Sequence, residues 1–291
     1  MPYRLRKNEP VAEGVKRVAA EQIDHACGQL AQKSDTEKAI HEARKNVKKT
    51  RALLLLAGYG GEDKRLRNIG RALSELRDAA VIIEVFDALL QKHEAALKKE
   101  SFAGIRRGLV ESMRSADAGR AVASALAGLR AARQRLERWP IEDALSDGLE
   151  TSYRRGRKAL ARATKNGAAQ NYHDFRKRVK EHWYHMRLLG SLESRTAGLK
   201  ELEGWLGDHH NLAVLQEKLE KSPERFGDEE WIKLFLALAT NEQQGLAQNS
   251  ISLGQRLYQQ KPKQFIHSLS PKKPVGQTVL PSAIFASKRS A

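Results

Sequence analysis

Several things are scarce in this sequence, and each shortage narrows what the chain can be. Cys27 is the only cysteine among 291 residues, which excludes a disulfide framework and any site built from several thiolates. The eight prolines leave residues 11–139 and 141–222 without one. Proline in a helix interior costs about 3 kcal/mol or more. Two proline-free tracts rich in Ala, Leu, Arg, Lys and Glu therefore predict helix almost throughout. No alternating run enriched in β-branched residues marks a strand. No apolar run is longer than that of Ala52 to Ala57, far below the ~20 residues of a spanning helix. The opening stretch, MPYRLRKNEPVAEG, has no apolar segment of a signal peptide, so the expectation is a soluble cytoplasmic protein. Acidic residues are also few, 35 against 52 lysines and arginines, for a formal charge of +17. Such an imbalance implies an anionic partner, whether nucleic acid, an anionic membrane or a polyphosphorylated ligand.

What is present is one stretch given twice. Residues 40–56 read IHEARKNVKKTRALLLL and residues 172–189 read YHDFRKRVKEHWYHMRLL. With His41 laid on His173, Arg44 meets Arg176, Lys45 meets Lys177, Val47 meets Val179 and Lys48 meets Lys180. At about 100° per residue on an α-helix, His41, Arg44, Lys45 and Lys48 share one stripe, and Ile40, Ala43, Val47, Thr50 and Leu54 lie opposite. In the second copy His173, Arg176, Lys177 and Lys180 form the stripe, which Tyr184 and Arg187 extend. Phe175, Val179, Met186 and Leu189 lie behind it. Each helix thus has an apolar face to bury and a cationic face to show. A second motif repeats at nearly the same spacing: LSELRDAAV over 73–81 matches LGDHHNLAV over 206–214. An internal duplication is the direct reading, with antiparallel helices around an apolar core as the expected fold.

Pro140 divides the chain into an N-terminal half, 1–139, and a C-terminal half, 140–255. Helices are expected over about 11–32, then from a capping box at Ser34–Glu37 to Ala57, where glycines 58, 60 and 61 stop the chain. Further helices are expected over 62–98, 101–116 with Ser101 as N-cap, 118–138, and 140–165 opened by the proline. The second copy ends at Gly190. Helices over 195–221 and 223–248 follow, the latter opened by Ser222-Pro223. Residues 256–291 hold half the prolines and no helical period, so they are expected to be irregular or disordered, with Phe265 and Ile266 available to dock.

A helix of the form H-x-x-R-K-x-x-K followed by a small-residue motif, each given twice, resembles the CHAD domain (conserved histidine α-helical domain) over about residues 10–250. The resemblance implies an all-α fold of two four-helix bundles related by a pseudo-twofold axis. It implies binding of inorganic polyphosphate in a basic groove and location at polyphosphate granules, while the residues themselves favour binding without catalysis and with no cofactor. Carried over by position, the binding residues are His41, Arg44, Lys48, Lys49, Arg51, His173, Arg176, Lys177 and Lys180. The wider candidate set adds Lys45, Tyr184, Arg187 and, from the basic helix before the second copy, Arg154, Arg155, Arg157 and Lys158. The second copy departs from the pattern by placing Glu181 and Trp183 where Lys49 and Arg51 stand in the first.

The residues themselves suit a linear polyanion: arginine grips phosphate oxygens in pairs, and lysine supplies a mobile charge. Protonation of His41 and His173 beside phosphate predicts tighter binding at acidic pH. Phosphoryl transfer would need carboxylates for a metal ion and a group to orient the attacking oxygen, and the repeated stripes carry no such acidic pair. Nucleic acid is the rival partner, on charge alone. A metal-binding histidine module is a further alternative, using His182, His185, His209 and His210, and a helical scaffold with a recruiting tail is a third. Arg77 and Asp78 are expected to link helices, and Trp183, Trp205, Trp231 and Cys27 to pack in the interior.

Overall fold

A computed structural model describes residues 3–32, 36–74, 78–95, 97–112, 118–142, 145–190 and 192–269. Among these, every regular element is helical and none is a strand. The expected capping box at Ser34–Glu37 and the Arg77–Asp78 link lie outside the described side chains or residues.

Helices α1 (Val11–Ala31) and α2 (Thr36–Leu56) pack along each other. The α2 face assigned to the interior is buried: Ile40, Ala43, Val47, Thr50 and Leu54 are all closed to solvent. Each buried leucine or valine on such a face contributes roughly 1.5–3 kcal/mol. Gly58 ends the helix in the left-handed region (φ 69°), where a Cβ would be strained. The amide of Tyr59 then closes on the Leu54 carbonyl at 2.8 Å.

The long helix expected over 62–98 is two, α3 (Asp63–Ala72) and α4 (Asp78–Lys92). The break lets α3 stay against α2 while α4 packs on a later helix. Ser101 caps nothing: it lies in a 3-10 turn, Lys99–Phe102, ahead of α5 (Ala103–Glu111). Helix α6 (Ala118–Arg135) returns along α1 and α3.

The helix expected to open at Pro140 starts instead at Ser146 and runs to Lys165 as α7. Its Gly148 abuts the end of α2 so closely that a Cβ there would collide with the Leu56 carbonyl oxygen. Helix α8 (Ala169–Leu189) carries the second copy. It is stopped by Gly190 at φ 66°, whose amide bonds to the Met186 carbonyl at 3.1 Å. Helix α9 (Glu193–Lys221) follows.

Ser222-Pro223 opens only a 3-10 turn, and the following helix, α10 (Glu229–Leu257), is capped by Asp228, whose carboxylate accepts the Glu230 amide at 2.8 Å. It runs nine residues past the expected end at 248.

The stretch from 256 is not irregular throughout. After α10 a short turn leads to α11 (Pro262–Leu269). Phe265 stacks on Tyr153 of α7 at 4.2 Å with the rings 12° apart, and the Arg195 guanidinium lies over the Phe265 ring, 4.4 Å from its centroid. Docking of this aromatic supplies the burial that the local sequence lacks. Residues 270–291 lie outside the described part.

The apolar interior does not part at Pro140. One large cluster joins α1, α2, α3 and α6 with α7, α8, α11 and the first part of α9. A smaller one joins α4 and α5 to the far ends of α9 and α10 through Phe86, Phe102, Phe226 and Phe235. Trp183 and Trp205 pack on the first cluster and Trp231 on the second. The chain therefore leaves the larger core for the smaller one twice and returns each time, and α2 and α8 meet inside the larger one.

Candidate functional site

With their apolar faces buried together, α2 and α8 leave their charged faces beside one cavity of about 1340 Å³. From α2 come Arg44, Lys48 and Arg51; from α8 come His173, Arg176, Lys177, Lys180 and Tyr184. Arg155 of α7 joins them, as do two arginines missed in the sequence, Arg67 and Arg178. The lining holds nine arginines and lysines against four carboxylates, Asp63, Glu84, Glu181 and Asp208. Helix α4 adds the apolar Val81, Ile82, Val85 and Ala88 to the lining, alongside Glu84.

Carboxylates position most of these cations without covering them. Glu203 of α9 accepts from Arg176 at 3.2 Å and from Lys180 at 2.6 Å through the same oxygen. Asp63, at the start of α3, accepts from Arg51 at 2.8 Å and also pairs with Arg67. Arg44 donates to the Ser74 hydroxyl at 2.9 Å, and Lys177 pairs with Asp174 at 3.1 Å.

The repeated small-residue motif acquires a physical reason here. Ser74 receives Arg44, and its counterpart Gly207 leaves room for Arg176: a Cβ at Gly207 would sit 3.1 Å from Arg176 Nη2. In each copy the small residue of the second motif seats the arginine of the first.

Lys48 differs from its neighbours. Solvent reaches it through the cavity, but protein atoms crowd its other sides, and no hydrogen bond or ion pair holds its amine among the described residues. That crowding, together with the like charges of Lys180, Arg44 and Arg176, pushes its pKa down to about 7 against a weaker opposing pull from Glu203. Lys180 is lowered as well, first by desolvation, although Glu203 opposes the shift.

The histidines do not behave as the sequence suggested. His173 stacks on His210 with centroids 3.9 Å apart. Desolvation, then His210, Lys177 and Arg176, drive its pKa down to about 4, with only Asp174 opposing. In the unliganded protein His173 is therefore held in its neutral form near pH 7, so the charge expected of it depends on a bound anion.

His182 and His185 are fully buried. The Ser152 hydroxyl lies 3.4 Å from His182 Nδ1 and 3.0 Å from His185 Nδ1, and His185 Nε2 lies 2.8 Å from the Ala52 carbonyl oxygen, as its donor. His209 is buried against Tyr172, ring centroids 4.3 Å apart. Among the described residues no three His, Cys, Asp or Glu side chains converge as a metal site would require.

The remaining predicted residues lie away from the cavity lining. Lys49 turns toward α1 and donates to Gln22 at 3.0 Å and Asn46 at 3.2 Å, while desolvation and Arg187 push its pKa down to about 8. His41 and Lys45 gather at Glu42, at 3.8 and 2.9 Å. Arg187 lies over Trp183, 5.1 Å from the ring centroid. Arg154 and Lys158 are exposed on α7, and Arg157 binds the Gln259 and Gln260 carbonyls, away from the cavity. Tyr184, although at the cavity wall, is buried against Tyr3 and Trp183, and burial raises its pKa.

Fold and site together define a helical protein with a cationic cavity between two similar helices. The family model described as CHAD domain matches residues 17–220, and the chain belongs to that family. Its fold is similar to the crystal structure of the CHAD domain from the plant Ricinus communis. The TM-score is 0.55 at 17% identity, over 89% of this chain and 96% of the other. No curated protein matches the sequence. No helix among the described residues is long and apolar enough to cross a membrane.

Proposed function

We propose that the protein binds inorganic polyphosphate in the α2–α8 cavity and holds it without cleaving it. The observation that supports this most is the convergence of Arg44 and Lys48 with Arg176 and Lys180 on one concavity. Along each helix, contacts one turn apart rise about 5–6 Å, so the two rows offer successive cations to an extended phosphate chain. Arginine supplies paired N–H donors and lysine a point charge.

Membership of the CHAD family and the sequence resemblance point the same way. A cytoplasmic location, at polyphosphate granules, and descent of the two halves by internal duplication belong to the same reading. Binding is favoured over catalysis because two of the four cavity carboxylates, Asp63 and Glu181, are held by arginines, and among the described residues no three acidic, histidine or cysteine side chains gather to hold a metal ion. Nucleic acid is the weaker partner, since the aromatic at the cavity wall, Tyr184, is buried and offers no open ring for base stacking.

The test is titration with polyphosphate of defined length. Wild type is compared with a variant carrying Arg44→Glu, Lys48→Glu, Arg176→Glu and Lys180→Glu. Wild-type binding should weaken steeply with salt, by analogy with nucleic acids, and the variant should lose it. Equal binding by the two proteins would remove the cavity from the function.

A further inference from the structure

Three lysines line the cavity, and two are tied down: Lys177 by Asp174 at 3.1 Å and Lys180 by Glu203 at 2.6 Å. Lys48 has no such partner among the described residues and is open to solvent. The groups that act on it are Arg44 from its own helix, Arg176 and Lys180 from α8, and Glu203 from α9. Glu203 is already shared by Arg176 and Lys180. The amine thus sits among fixed cations that attract phosphate, with no carboxylate of its own.

We propose that Lys48 is a site of acylation by acyl phosphates, reagents in which a carboxyl group is joined to phosphate. The proposal rests on reading the cavity as an anion site. Arg44 and Arg176 hold the phosphate, and the Lys48 nitrogen lone pair attacks the acyl carbon. The bond from that carbon to the bridging oxygen breaks, and orthophosphate departs with the electron pair. The proton released from nitrogen passes to phosphate or water. The product is a neutral amide, and no oxidant or reductant is consumed. Each modified molecule loses one cavity cation, so acylation lowers polyphosphate affinity, and bound polyphosphate shields the amine.

The chemistry favours this lysine over others. With a pKa of about 7, roughly half of the amine is unprotonated at pH 7, against about one part in two thousand for an ordinary lysine. Lower basicity costs nucleophilicity, with a slope of about 0.4–0.5 taken from thiols. The net advantage is on the order of thirtyfold.

The experiment exposes the full chain to acetyl phosphate at pH 7 and follows initial acetylation rates by peptide mass spectrometry. Lys48 is compared with exposed Lys200 and Lys263. The expected result is acetylation of Lys48 tens of times faster than of either, slowed by excess polyphosphate. Equal rates at the three lysines overturn the proposal. A parallel polyphosphate titration tells the failures apart: binding without selective acetylation leaves the anion site standing and removes only the acylation. Rapid reaction of Lys48 with uncharged p-nitrophenyl acetate, but not with acetyl phosphate, overturns it too and argues against phosphate capture.

Discussion

Replacing Gly207 by alanine should make the protein more stable and a poorer binder at once. Gly207 lies inside α9, where alanine is favoured over glycine by about 0.5–1 kcal/mol. At about 2.1 cal/mol/K per residue, unfolding 291 residues carries an entropy near 0.6 kcal/mol/K, so Tm should rise about 1–2 °C. The new Cβ would stand 3.1 Å from Arg176 Nη2 and 3.4 Å from its Cζ. The guanidinium can yield into the open cavity, which preserves the stability gain but shifts it from its place in line with Lys180, where it would meet phosphate. Weakening one charge-assisted phosphate contact by about 1 kcal/mol lowers affinity roughly fivefold. Gly204→Ala is the control, because nothing lies within 4 Å of a Cβ at that position. It should raise Tm alike and leave affinity unchanged. Calorimetric melting and polyphosphate titration read both quantities. Unchanged affinity in Gly207→Ala, or the same loss in Gly204→Ala, would refute the seating role of the small residue.

Polyphosphate affinity should fall as pH rises from 6 to 8. The pKa of Lys48 is lowered to about 7 in the free protein, and bound phosphate favours the charged amine, so proton uptake accompanies binding. The full linkage gives up to about a tenfold loss, which Lys48→Arg should abolish because arginine stays charged; an equal slope in both proteins would assign the effect elsewhere. Glu203→Gln releases Arg176 and Lys180 from their shared carboxylate, so affinity should increase and its salt dependence steepen, as a titration at several salt concentrations would show. His185→Leu removes the donor to the Ala52 carbonyl and should cost about 1–3 kcal/mol in denaturant unfolding; a loss below about 0.5 kcal/mol would mean that the carbonyl finds another partner.

The part of the site set by helical period was legible in the sequence. The stripes of α2 and α8 and their buried backs follow from residue spacing, whereas a shared basic groove for Arg44, Lys48, Arg176 and Lys180 was expected only from the family resemblance. What tertiary packing decides was not. Lys49 follows Lys48 directly, but the Gln22 and Asn46 amides draw it toward α1. Arg67 enters through Asp63 on a helix that looked continuous with α4, and the break after Ala72 has no proline to announce it. Arg178 lies off the repeated stripe and reaches the lining beside Glu181. The lowered pKa of His173 comes first from burial and then from His210, 37 positions away and brought to it by the packing of α8 on α9. Helix α11 escaped because its apolar face, Phe265, Ile266 and Leu269, spans barely two turns among prolines and lysines, and Phe265 gains its reason to be ordered only against Tyr153.

The contact from His185 to the Ala52 carbonyl has a consequence for how a polymer is met. It joins α8 to α2 beneath the very residues that face the cavity, and Ala52 itself lines the wall. Gly148 against Leu56 fixes a third helix at the same level. The two rows are thereby held apart at a set width before any ligand arrives, as in a carpenter's jig. If the proposed polyphosphate binding holds, little ordering of the protein remains to be done on association, and the entropy lost falls mainly on the incoming chain.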